Sequence, residues 1–289
     1  MDVWIVLNPI LKVLLYVASF GSVGSFLFTL HFRKKLSDQQ QSYCDNLCYK
    51  STLIGAIISL VMILSVAGSL GGDLASVIDF LMLQLAIESK SGVGYLTAFS
   101  GFAIMVMAHN MKTKAKTVGL FVGSIVVMFS FSMAGHSQLG GVITQALLMV
   151  HLFGITFWLG SLLPFRWICS QGDTTNLSGL AHHFGILAIG YVGLLLSAGF
   201  FYAYMLIGEL SLIFTTSYGN LLLIKIMMVG ALLFLAALNK FKLVPSLEKS
   251  PLLGVKKFKS SVQLEIVLAF IILFASSLLT TSITLPVGV

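Results

Sequence analysis

Residues 135–160 read GHSQLGGVITQALLMVHLFGITFWLG. From Gly141 to Gly160 there is no Asp, Glu, Lys or Arg. Twenty residues at helical rise cover about 30 Å, the thickness of a bilayer's hydrocarbon core. The apolar run is continuous rather than alternating, so it reads as a membrane-crossing helix and not a barrel strand. The rest of the chain agrees: of 289 residues, 57% are hydrophobic and 9% charged, with a mean hydropathy of +1.00. No water-soluble domain of this length hides so much apolar surface. The expectation is an all-α polytopic membrane protein.

Hydropathy divides the chain into eight spans, near 8–31, 51–70, 92–110, 117–136, 141–164, 181–206, 219–239 and 262–284. They form one transmembrane domain over residues 1–289, without a repeat or a low-complexity tract. GGDLASVIDFLMLQLAIESKSG, between the second and third spans, carries acids at both ends and reads as an amphipathic helix or lid at the interface. The opening MDVWIVLNPI lacks the basic n-region and small-residue cleavage site of a signal peptide, so none is expected.

Charge orients the bundle. Arg33, Lys34, Lys35, Lys50, Lys112, Lys114, Lys116, Arg166, Lys240, Lys242, Lys249, Lys256, Lys257 and Lys259 all fall in odd-numbered loops, 14 of the 17 basic residues. The even loops carry Lys90 against Asp73, Asp79, Glu88 and Glu209. The positive-inside rule places the odd loops in the cytoplasm and both termini outside. The net charge of +7 is therefore a topology signal and a patch for anionic membrane lipids, not a nucleic-acid footprint.

That orientation sets His136 at the outer mouth, between the fourth and fifth spans. His151 lies roughly 15 Å deeper, near the midplane. Spacing of seven puts Thr144, His151 and Trp158 on one helical face, with Gly154 as a small neighbour that admits another helix. Met128, Ser132 and His136 share a face of the fourth span, Met133 is one turn before His136, and Met149 adjoins His151. Thioether and imidazole ligands running inward suit copper: Met and His hold Cu(I), and imidazole also accepts Cu(II). Against this, a His at a span's end is an ordinary interfacial residue, and Met in an apolar bundle is ordinary packing. His151 is the stronger candidate, because ionisable groups at mid-membrane are costly and functional by default.

Weaker candidates are the remaining histidines and a cysteine pair. His109 follows Met105 and Met107 at an inner span end, where His182 and His183 also lie; interfacial anchoring explains all three as well as an exit site does. His31 sits at a boundary and carries no signal. Cys44 and Cys48, in the first cytoplasmic loop, would share a helix face and make a Cu(I) clamp, or be ordinary reduced thiols. Lys225 and Lys12 enter the outer half of the membrane with no acid beside them. Glu265 is expected to pair with Lys256–Lys259 or to act as an inner polar gate.

GHS followed by VHLFGITFWLGSLLPF resembles the bacterial copper resistance protein D (CopD) family, in which a Gly-His ends one span and the next carries His-Leu and then Trp-x-Gly-Gly-Leu. TTSYGNLLLIKIMMVGALLFLAALNKFKLVPSL, residues 215–247, and SVQLEIVLAFIILFASSLLTTS extend the likeness, so that 135–289 is the best-matching part. Ser161 stands where a second Gly is commoner, and Leu148 where some relatives carry a further His. The resemblance implies an inner-membrane protein, not an enzyme, that moves copper inward. It also implies a separate periplasmic CopC-type copper-binding protein as donor. On it, His136 is the outer ligand and His151 a relay, with Met133 and Met149 beside them.

The alternative is a haem-binding membrane oxidoreductase of the b-type cytochrome kind. Bis-His haem needs two rings at one depth; His136 and His151 fail this, and only His109 with His182 or His183 match. No CxxCH, Walker A, HExxH or Ser-His-Asp pattern is present. Orientation is directly testable: alkaline phosphatase fused to the C-terminus should be active, and a fluorescent protein fused there dark. The reverse pattern would invert every assignment of outer and inner sites.

Overall fold

The computed structural model describes residues 3–133, 141–171, 174–207 and 211–281. Among them there are helices and turns and no strand. In chain order the helices are α1 (Val3–Phe32), α2 (Asp38–Gly71), α3 (Phe80–Glu88), α4 (Lys90–His109), α5 (Thr113–Ser130), α6 (Gly141–Gly160), α7 (Leu162–Ile168), α8 (Leu177–Ile207), α9 (Leu212–Thr215), α10 (Ser217–Leu238), α11 (Val244–Lys249) and α12 (Pro251–Thr281). Eight stretches are long and apolar enough to cross a membrane, with α6–α7 and α10–α11 each forming one of them. The expected all-α polytopic bundle is what forms.

α1 is the hub, packing against α2, α6 and α12. Every residue from Ala18 to Phe28 is buried, so this stretch is enclosed on all sides, as a helix apolar all round must be. Its sequence, ASFGSVGSFLF, alternates small residues with rings. The small residues let neighbouring backbones approach, which drives helix association where lipid removes the ordinary hydrophobic force. Gly24 and Gly160 mark the α1–α6 crossing: a methyl on Gly24 would lie 2.4 Å from the Gly160 Cα, and one on Gly160 equally close to the Gly24 Cα. The hydroxyls of Ser19 and Ser22 turn back onto the carbonyls of Leu15 and Ser19, so they enter the core without losing a hydrogen bond.

Several span ends differ from the hydropathy reading, because caps rather than apolarity set helix limits. α2 starts at Asp38, not 51. Ser37 and Gln40 form a capping box there, and Gly72, at φ 80°, closes the far end. Its 34 residues extend for about 51 Å, well beyond a hydrocarbon core. Cys44, Cys48 and Lys50 therefore lie in a helix and not in a loop. α5 ends at Ser130, so Ser132 and Met133 sit in the turn that follows rather than on its face. His136 lies outside the described residues. α12 begins at Pro251, which draws Lys256, Lys257 and Lys259 into the helix.

The segment between α2 and α4 folds as the short helix α3, preceded by a 3₁₀ turn at Ala75–Ile78. Asp79 caps α3 by accepting from the Met82 N–H, and hydrogen bonds from Ser76 hold the Asp73 carboxyl below its ordinary value. Ile78 and Phe80 are more than 80% exposed, as suits a piece lying in the interface.

The α1–α6 crossing yields a stability test. Gly24→Ala and Gly160→Ala should each cost about 1–3 kcal/mol through overpacking. Gly190→Ala, whose methyl would meet nothing within 4 Å, should cost nothing. Thermal unfolding of the detergent-solubilised protein separates them; three equal midpoints would show that the two helices do not touch at this crossing.

Candidate functional site

α6 carries the residues that the opening stretch singled out. Thr144 and Trp158 are buried, and His151 is partly buried. His151 lies in the seam between α6 and α8, where its Nδ1–H donates to the Leu195 carbonyl at 3.0 Å. A carbonyl only accepts, so Nδ1 carries the proton and Nε2 of the neutral ring keeps its lone pair. Gly199 makes room for the ring: a methyl there would stand 2.8 Å from both Cε1 and Nδ1. Gly154 serves as the expected small neighbour, since its methyl would lie 3.0 Å from the Tyr191 carbonyl oxygen of α8. From α10, Lys225 is near enough for its charge to act on His151.

Seven residues further along α6, Trp158 joins a polar cluster that the sequence did not disclose. Glu265 of α12 is 2% exposed. It accepts hydrogen bonds from the Asn239 amide and the Trp158 side chain. Asn239 opens a π-helical turn, Asn239–Leu243, that follows α10, and its own Oδ1 is buried with no partner among the described residues. The expected pairing of Glu265 with Lys256–Lys259 is overturned. α12 is already helical at those lysines, so even Lys259 lies about 9 Å along the axis from Glu265, whose carboxyl faces α6 and α10 instead.

The other candidates are scattered. Met149 packs against the main core and, two positions from His151, leaves α6 on nearly the opposite side. Met133 stands just after α5. Met128 is buried and accepts from the Thr156 hydroxyl at 3.4 Å. His182 and His183 are exposed, and His183 Nδ1 accepts from the Lys35 ammonium at 3.0 Å. His109 faces α2 instead, its ring 5.1 Å from that of Tyr49, with Nδ1–H donating to the Met105 carbonyl at 2.8 Å. The depth-matched histidines of the haem reading thus have different helices for neighbours. Cys44 and Cys48 are buried on one face of α2.

Two residues exceeded their sequence signal. His31 donates through Nδ1 to the Leu27 carbonyl, and its Nε2 accepts from the Tyr191 hydroxyl at 3.2 Å; nothing in the sequence links positions 160 apart. Lys12 lies within 5.3–5.9 Å of the ring centroids of Tyr16, Tyr95 and Phe131, a cation–π cage that accommodates an ammonium without an acid.

The described residues define an integral membrane protein built of helices, with an imidazole held in the seam between two of them. Residues 1–146 match the family described as copper resistance protein D-like, N-terminal domain, and residues 178–279 match copper resistance protein D. The chain belongs to the copper resistance protein D family. It is similar to the inner membrane protein YebZ of Escherichia coli (strain K12), at 24% identity over 297 aligned positions covering 96% of this chain and 97% of that one. No solved structure matches it.

The Glu265 cluster makes its own prediction. Glu265→Leu would strand two buried donors and should destabilise the fold by about 1–3 kcal/mol for each. Glu265→Gln keeps an acceptor for Trp158 or Asn239 and should cost clearly less. Chemical or thermal unfolding in detergent would read the difference, and equal losses would mean that the carboxyl is not the shared acceptor.

Proposed function

We propose that the protein binds copper and carries it across the inner membrane, from periplasm to cytoplasm, in copper homeostasis or resistance. Both termini then face the periplasm, and the basic ends of α1, α4, α7 and α11 face the cytoplasm. A separate copper-binding protein of the CopC type delivers the ion at the outer face, where His136 is the first ligand. Family membership supports the coarse part of this reading. The observation that carries the path is the fixed tautomer of His151.

An imidazole whose Nδ1–H is held by a carbonyl presents Nε2 in one direction and is a stronger ligand for it. His151 meets that condition midway along α6. Helix-to-helix hydrogen bonds of this kind contribute only about 1 kcal/mol, so packing alone is a weak reason to keep an ionisable ring at that depth. Lys225 fits the same reading. A charged Lys225 opposes a cation on His151 and so shortens its stay, and a conducting site must release its ion as readily as it takes it.

His151→Leu tests the relay. The Leu195 carbonyl it vacates lies inside α8 and has the helix's own N–H as a partner, so the variant should unfold at or above the parent's midpoint. Copper accumulation per folded molecule, measured at limiting external copper, should fall severalfold. Normal accumulation would remove His151 from the path.

A further inference from the structure

At the basic end, α1, α2, α4 and α5 surround a cavity of about 510 Å³ that opens outward. Cys48 lines it from α2, His109 from the last turn of α4 and Met111 from just beyond; Asp45, Arg33 and Lys116 stand around it. Asp45 and Lys116 pair with each other at 2.8 Å. With Nδ1–H of His109 committed to Met105, its Nε2 is a bare acceptor, and it is buried with no partner among the described residues. Buried polar atoms without partners are rare and call for an explanation. Tyr49, next to Cys48, lies against the same ring, so the thiol and the imidazole come from abutting faces of α2 and α4.

We infer that Cys48 Sγ and His109 Nε2 bind a single Cu(I) ion in this cavity. The inference deepens the transport reading by giving the ion a place to leave from. A thiolate and a neutral imidazole are two soft-to-borderline donors, and Cu(I) accepts two ligands where Zn(II) asks for about four. The cavity is lined by one thiol and one imidazole, a donor pair that suits a low-coordinate ion. Binding balances simply. The Cys48 S–H gives up its proton to water in the cavity, the sulfur–copper bond forms, and the copper stays at the same oxidation state. Thiolate and Cu(I) together are neutral, so Arg33 and Lys116 do not oppose the bound ion as they would a divalent one. Cys44, one turn back, is buried but does not line the cavity, and it takes no part.

The test is anaerobic titration of the purified full chain with Cu(I) against a chromophoric Cu(I) chelator. The parent should show an ultraviolet thiolate-to-copper charge-transfer band that saturates at one Cu(I) equivalent, over and above copper held at His136 or His151. Cys48→Ser should lose both, and Cys44→Ser neither. His109→Asn should weaken the equivalent by more than the roughly 10–100-fold that loss of an outer-shell partner costs. A Cys48→Ser protein that keeps the band, or a His109→Asn protein of parental affinity, overturns the inference. X-ray absorption on copper-loaded parent protein covers the case in which a variant fails to fold: one sulfur and one nitrogen neighbour are expected, and a shell without thiolate sulfur refutes the site. His151→Leu should retain this equivalent, so failure of the relay and failure of the cavity site are separately visible.

Discussion

The rest of the bundle depends on α1 being accommodated on every side. A helix enclosed from Ala18 to Phe28 needs neighbours on its whole circumference, and the chain supplies α2, α6 and α12. α2 lies within the range that matches the N-terminal family description, α12 largely within the range that matches the other, and α6 mostly between the two, so α1 touches all three parts of the chain. The Gly24–Gly160 crossing sets how near α6 can come. It thereby fixes the rotation of α6, and with it the direction in which His151 meets α8 and Trp158 meets α12. Glycine at 24 and 160 thus bears on the seam as directly as any polar residue in it.

Several polar groups inside this bundle are answered locally, and each by a different chemistry. Lys12 is received by three aromatic faces, Glu265 by an indole and an amide, His151 by a carbonyl, and Ser19 and Ser22 of α1 by their own helix. Within lipid an unanswered polar atom costs several kcal/mol. This is why the exceptions carry information: among the described residues the His109 Nε2 and the Asn239 Oδ1, like the Ser25 Oγ and the Asn8 Oδ1, are buried without a hydrogen-bond partner.

Much of this was legible in the sequence. The eight spans follow from hydropathy, because only a helix satisfies its backbone within lipid. The Thr144–His151–Trp158 face follows from helical periodicity, and the family follows from GHS, VHLFGITFWLG and the later stretches. What could not be read has two physical causes. Helix ends are decided by caps, so Ser37 moved Cys44 and Cys48 from a loop into α2. Contacts between distant helices are decided by rotation and depth together. Glu265 was therefore assigned to lysines near it in sequence, although its partners lie on α6 and at the end of α10. His31 and Tyr191 carried no sign of each other for the same reason.

The π-helical turn at Asn239–Leu243 has a consequence for length. A π turn is an α-helix with one surplus residue, inserted at the cost of poorer backbone hydrogen bonds. Here it turns Asn239 towards Glu265 while Lys240 reaches the Gly185 carbonyl of α8 at 2.8 Å. Removing one residue from this turn would restore α geometry and rotate everything beyond it by about 100° relative to α10. The hinge between α10 and α11 is therefore sensitive to the number of its residues as well as to their kind. Homologous chains with a one-residue gap here would have to seat their buried carboxyl in another way.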